Sequence, residues 1–141
     1  MYKIGLSTTG EKINEETIKE YADSGIEYIE ISTSKEKTDA ICYEDLKSWC
    51  DKYGVKIWSF HLPFYPFSVI DISSEELAEF TVSYLSDIIK KATSIGANKF
   101  IIHASGEPIE ENQRKGRMEC AKKSLFTLCE VAKEYGATIC V

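Results

Sequence analysis

Parallel α/β units making up about half of an eight-stranded (β/α) barrel are what this sequence predicts, and three observations lead there. A helix-glycine-strand grammar is used four times, the strands alternate between apolar and polar residues, and the last apolar run has no helix after it. The grammar reads Ser24-Gly25-Ile26, Tyr53-Gly54-Val55, Ile95-Gly96-Ala97 and Tyr135-Gly136-Ala137, each closing a helical pattern and opening an apolar run. Glycine just past a helix takes the left-handed cap at little steric cost, and a short turn then feeds a strand.

Helices are expected from about Asn14 to Ser24, Tyr43 to Tyr53, Ser74 to Ile95 and Ile109 to Tyr135. The third carries Ser73-Ser74-Glu75-Glu76, a capping-box pattern. Strands fall near Tyr2 to Ser7, Tyr28 to Ser32, Lys56 to His61, Lys99 to His103 and Thr138 to Val141. The order βαβαβαβαβ implies parallel strands joined by right-handed crossovers.

A doubly wound sheet and a barrel both fit that order. Central strands of a doubly wound sheet are covered on both faces and read apolar throughout. Here Ile4 and Leu6 oppose Lys3, Gly5 and Ser7; Ile29 and Ile31 oppose Tyr28, Glu30 and Ser32; Trp58 and Phe60 oppose Ser59 and His61. A barrel accounts for this if the apolar face meets the helices and the polar face looks inward. The expected domain is a single incomplete barrel over residues 1–141, cut at its fifth strand, against a usual barrel length of about 250 residues.

The chain has 141 residues, 43% hydrophobic and 11% aromatic, enough for one domain with a core. No run approaches a membrane span, and the N-terminus lacks a signal peptide's cleavage region, so the expectation is a cytoplasmic protein. Cys42, Cys50, Cys120, Cys129 and Cys140 form no C-x-x-C pair and are read mostly as core thiols. A net charge of -6 disfavours a grip on nucleic-acid phosphates.

His61 and His103 are the only two histidines, and each ends an apolar strand. The carboxyl ends of parallel strands are where such folds bind ligands, so the pair suggests one shared site. Glu30 lies on the inward face, where a carboxylate needs a partner; a structural pair with Lys3 is the plain alternative to a role in the pocket. Ser7-Thr8-Thr9-Gly10-Glu11-Lys12 has the look of a phosphate cradle and supports a rival flavodoxin-like, flavin-binding reading. The segment Pro63, Phe64, Tyr65, Pro66, Phe67 either packs over a sugar ring or simply covers the barrel end. Arg114, Lys115 and Arg117 read as the solvated end of the fourth helix, with contact to a phosphate as the alternative.

The text Ser59-Phe60-His61-Leu62-Pro63-Phe64, then Asp71-Ile72-Ser73-Ser74, then Ile101-Ile102-His103-Ala104-Ser105-Gly106 resembles the xylose-isomerase-like TIM-barrel superfamily, N-terminal half only. That superfamily includes sugar-phosphate isomerases and epimerases and the endonuclease IV type of DNA-repair enzyme. The resemblance implies a pocket for a small carbohydrate or sugar phosphate, lined by Glu30, His61, His103 and Ser105, and a divalent metal (Mn, Zn or Mg) in the complete protein. In endonuclease-IV-like relatives the residues matching His61 and His103 ligate metal; in many sugar isomerases they contact substrate instead. Both roles stay open on the residues alone. The later-strand ligands of the family are absent, so the expectation is a parent isomerase or epimerase whose N-terminal half is inactive by itself. A zinc phosphodiesterase and a non-catalytic half-barrel that forms homo-oligomers through exposed edges are the alternatives.

Overall fold

The computed structural model describes residues 4–106 and 108–141, and their strands form one five-stranded parallel sheet. In chain order the elements are β1 (Gly5–Ser7), α1 (Glu15–Asp23), β2 (Tyr28–Ser32), α2 (Lys35–Asp39), α3 (Tyr43–Tyr53), β3 (Lys56–His61), α4 (Ala78–Ser94), β4 (Lys99–Ile101), α5 (Glu111–Glu134) and β5 (Thr138–Cys140). The strands lie side by side in sequence order, β1-β2-β3-β4-β5, all parallel. Strand order reverses in a doubly wound sheet, 2-1-3-4-5 in flavodoxins, so this topology is that of a barrel wall and excludes the flavodoxin-like alternative.

Local chemistry explains the element boundaries. Asn14 caps α1 by accepting from the Thr17 backbone N–H at 2.9 Å. All four punctuating glycines adopt positive φ, and Gly54, at +72°, closes α3 in the left-handed conformation. The short α2, too brief to leave a periodic trace, begins at Ser34, whose hydroxyl accepts from the Lys37 N–H. The capping box expected at Ser73 does not form. Its hydroxyl and N–H both turn back to Asp71, and α4 begins only at Ala78.

The core lies between the sheet and the helices. Ile29, Ile31, Ile57, Phe60, Phe100 and Ile102 from the strand segments pack against Ile18, Leu46, Leu85, Ile89 and Leu128 from the helices. On α5 the buried residues are Ala121, Ser124, Leu128 and Ala132, a stripe at helical spacing. On β1, a sheet edge among the described residues, the apolar face is uncovered: Ile4 is 77% and Leu6 43% exposed, against the burial expected of them. The cysteine expectation is also corrected. Cys50 is buried, but Cys42, Cys129 and Cys140 are exposed: Cys42 precedes α3, Cys129 lies off the buried stripe of α5, and Cys140 ends the edge strand β5.

One irregularity sets the geometry of everything above it. β2 and β3 pair Ile29 with Ile57 but Glu30 with Ser59, so Trp58 is an extra residue, a β-bulge. Ile57 is therefore buried, whereas Trp58 is 53% exposed and does not share the face of Phe60 as its spacing suggested. Because strand side chains alternate strictly, an extra residue exchanges the two faces of the strand beyond it. The bulge turns Phe60 to the helices and His61 to the interior.

Candidate active site

The interior face is built in three levels. At the amino end, Trp58 meets Tyr28 edge to face, with ring centroids 5.8 Å apart, and Lys99 Nζ sits 3.8 Å from the Trp58 centroid. This is the floor, and the open hollow of about 360 Å³ beside it, lined by Tyr28, Lys56, Trp58 and Asn98, belongs to the end that serves stability in barrels.

Above the floor runs a polar row set by register, Ser7 beside Glu30 beside Ser59. Ser59 Oγ donates to Glu30 Oε2 at 2.9 Å and Ser7 Oγ donates to Oε1 at 3.2 Å. Two hydroxyls thus hold the half-buried carboxylate. The ion pair expected with Lys3 lies outside the described residues. The neighbouring loop is used structurally: buried Thr8 accepts from the Ser32 N–H at 2.9 Å and donates to the Ser32 carbonyl at 3.2 Å, so this hydroxyl ties the proposed cradle to β2.

At the carboxyl rim the two histidines meet. Their ring centroids are 5.2 Å apart, with 37° between planes. His61 Nδ1 lies 3.1 Å from the Leu62 carbonyl oxygen, and a carbonyl only accepts, so in the neutral ring Nδ1 carries the proton and Nε2 keeps its lone pair. His103 stands beyond the end of β4 and is stacked on Phe64, centroids 3.9 Å apart. Partial desolvation first, and the neighbouring His61 second, push its pKa below the ordinary value of 6.5. The folded state then binds fewer protons than the unfolded chain between the two values. What this group contributes to stability is present above 6.5 and is lost as pH falls through the lowered pKa.

Phe64 belongs to an arch that leaves β3 and returns to α4. Phe67 packs 6.0 Å from Phe64, and it fills the space over Gly106, where a side chain would meet its ring. Behind the arch Ser105 shares a hollow of only about 10 Å³ with Pro63, Phe64, Phe67 and His103, room for at most one water. His61 and His103 thus meet at the rim, Glu30 lies in the polar row below them, and Ser105 sits behind the arch, beside Arg114 and Arg117 of α5.

Among the described residues no group of three or more His, Cys, Asp and Glu side chains is placed to hold a metal. The metal role expected of His61 and His103 comes down to two nitrogens, short of the three or four protein ligands of a zinc site. Sequence reasoning missed Gly106 as a seat for Phe67, and it missed Arg117. Expected in solvent, Arg117 pairs instead with Asp71, whose side chain is 3% exposed. The sequence signal for the pair was Asp71 set between Ile70 and Ile72 after an aromatic loop, since a carboxylate in an apolar run requires a partner.

Comparison with known proteins fits this architecture. No curated protein sequence matches the chain. Among solved structures it is similar to a D-psicose 3-epimerase from Clostridium cellulolyticum H10 determined with D-tagatose (TM-score 0.76, 16% identity, 99% of this chain and 52% of that one). It is also similar to a D-tagatose 3-epimerase-like protein (TM-score 0.80, 22% identity, 98% and 51%) and to an L-ribulose 3-epimerase (TM-score 0.72, 22% identity, 99% and 48%). The chain thus spans about half the length of these structures. Among the described residues no helix is long and apolar enough to cross a membrane. The sequence profile described as xylose isomerase-like TIM barrel matches residues 18–141, and the chain belongs to that family.

Proposed function

We propose that this chain supplies the first half of the pocket of a divalent-metal-dependent sugar or sugar-phosphate isomerase or epimerase, acting in the cytoplasm and inactive as a half. The observation that carries this reading is the pairing of His61 and His103 at 5.2 Å on the interior rim, under Phe64. Such enzymes move a proton at a carbon next to a carbonyl. The His61 Nε2 lone pair can accept from a sugar hydroxyl, and His103, kept neutral by its lowered pKa, can do the same. Glu30 holds the wall between them and the floor. Phe64 offers an apolar face to a ring. Ser105 contributes at the rim. The metal belongs to the complete site, with these two imidazoles giving at most two of its contacts. Five unpaired thiols suit a reducing compartment. The zinc phosphodiesterase reading has less support, because a net charge of -6 opposes a grip on DNA.

Two titrations of the 141-residue chain test this. D-Tagatose or D-fructose is expected to shift the two histidine ring signals in NMR saturably, and calorimetry, which does not depend on those signals, is expected to show the double substitution His61→Ala, His103→Ala weakening binding by at least about tenfold, about 1.4 kcal/mol. Zinc binding is expected to be weak, to need both histidines, and to fade as pH falls through the lowered pKa of His103, since protons compete for its lone pair. Histidine signals indifferent to sugar at every concentration would sink the proposal.

The edges of the sheet favour one further reading, that two copies associate. β1 and β5 each pair on one side only among the described residues, and Leu6 on β1 is exposed. Sedimentation at increasing concentration is expected to give a mass above that of one chain; a constant monomer mass would refute it.

A further inference from the structure

The arch over the histidines is held from outside the pocket. Its first post is the sheet, where the Leu62 N–H donates to the Ile101 carbonyl at 2.9 Å. Its second post is the buried run Ile70 to Ser73, gripped by two helices. The Asp71 N–H donates to Thr81 Oγ1 of α4 at 3.1 Å. From α5, Ser124 Oγ donates to the Ile72 carbonyl at 2.7 Å, and the Arg117 guanidinium pairs with Asp71 Oδ2. Asp71 Oδ1 meanwhile accepts from the Ser73 N–H at 2.8 Å and its hydroxyl at 2.6 Å. Among the described residues the buried Nε of Arg117 has no hydrogen-bond partner, and the guanidinium is held through its contact with Asp71.

A carboxylate this deeply buried cannot exchange its cation for water, so the ion pair has one geometry, unlike an apolar contact, which can slide. Between the posts stand Phe64 against His103 and Phe67 over Gly106. We propose that Arg117, on the outer layer, is a positioning residue for the histidine site: through Asp71 it sets the seat of the arch and with it the contact of Phe64 on His103. The consequence for sugar binding rests on the function proposed above. The coupling between Arg117 and the arch is a property of the chain itself.

Ring-current shifts in NMR of the full chain read this coupling directly. His61→Asn and His103→Asn assign the two histidine signals. In the parent chain Phe64, stacked on His103, displaces the His103 ring protons upfield, and Phe64→Leu defines the loss of that displacement. Arg117→Gln is expected to move the His103 signals most of the way to the Phe64→Leu position. Arg117→Lys, which restores a cation to the single contact with Asp71, is expected to leave them near their parent values. An unmoved His103 signal in folded Arg117→Gln would overturn the latch, as would a Phe64→Leu chain in which His103 does not move at all. If Arg117→Gln does not fold, Asp71→Asn, which keeps an acceptor for Ser73, carries the same comparison with the same two outcomes. D-Tagatose added to the parent chain separates the two readings: no sugar-induced shift would sink the sugar pocket while leaving the latch standing.

Discussion

Phe60→Ala is expected to destabilise the fold by about 3–5 kcal/mol, the range for emptying a buried aromatic site. Phe60 is fully buried and lies between Tyr43 of α3 and Phe100 of β4, each 6.4 Å away between centroids. Its neighbours are held by a strand on each side and by the helices above, so the cavity cannot collapse. Against a total stability of about 5–15 kcal/mol for a domain, that loss leaves the variant marginal. Trp58→Ala, two residues away, removes a larger side chain but only an edge-to-face ring contact and a cation-π contact on the open face, about 1–2 kcal/mol. Urea unfolding of the two variants measures the difference. Equal losses would mean that β3 carries no bulge and that Trp58 and Phe60 share one face after all.

Gly106→Ala is expected to unseat the arch and to cost about 1–3 kcal/mol, the usual range for overfilling a packed site. Gly106 does not have a positive φ, so backbone strain plays no part. The obstacle is the ring of Phe67, whose Cδ2 would lie 2.6 Å from the new methyl carbon. These are the atoms nearest the Phe67 backbone, and the ring must rotate or the arch must lift. The same lift withdraws Phe64 from His103, so the ring-current shift on His103 should fall in parallel with stability. A double-substitution cycle isolates the cause. In a Phe67→Ala background Gly106→Ala should be nearly neutral, and an undiminished loss there would show that the glycine serves some other purpose.

The histidine rim was legible in the sequence because it depends on strand ends, and strand ends are marked by local chemistry. His61 and His103 each close an apolar run, and the glycine after each helix locates the strand that follows. Glu30 was legible as inward for the same reason, since β2 alternates cleanly between buried and half-buried residues. Its partners were not. Ser7 and Ser59 come from strands 23 and 29 residues away, and only the register of the sheet brings them to one carboxylate. The Ser73 capping box failed for a related reason: the local motif was real, but a buried aspartate two residues earlier competes for the same hydroxyl and N–H.

The sequence by itself determined the class of the fold: four helix-glycine-strand turns, parallel strands, and two imidazoles at one end. These are short-range properties, set by the φ a glycine permits and by which residues suit a strand. Tertiary structure alone decided the face each residue takes and the partners it meets. The bulge at Trp58 exchanges the two faces of β3 and so turns His61 inward, because the pairing of β2 with β3 must keep Ile57 and Phe60 both against the helices. Arg117 becomes part of the arch rather than a solvated charge because Asp71, 46 residues earlier, is buried beneath α5, where a carboxylate requires a partner.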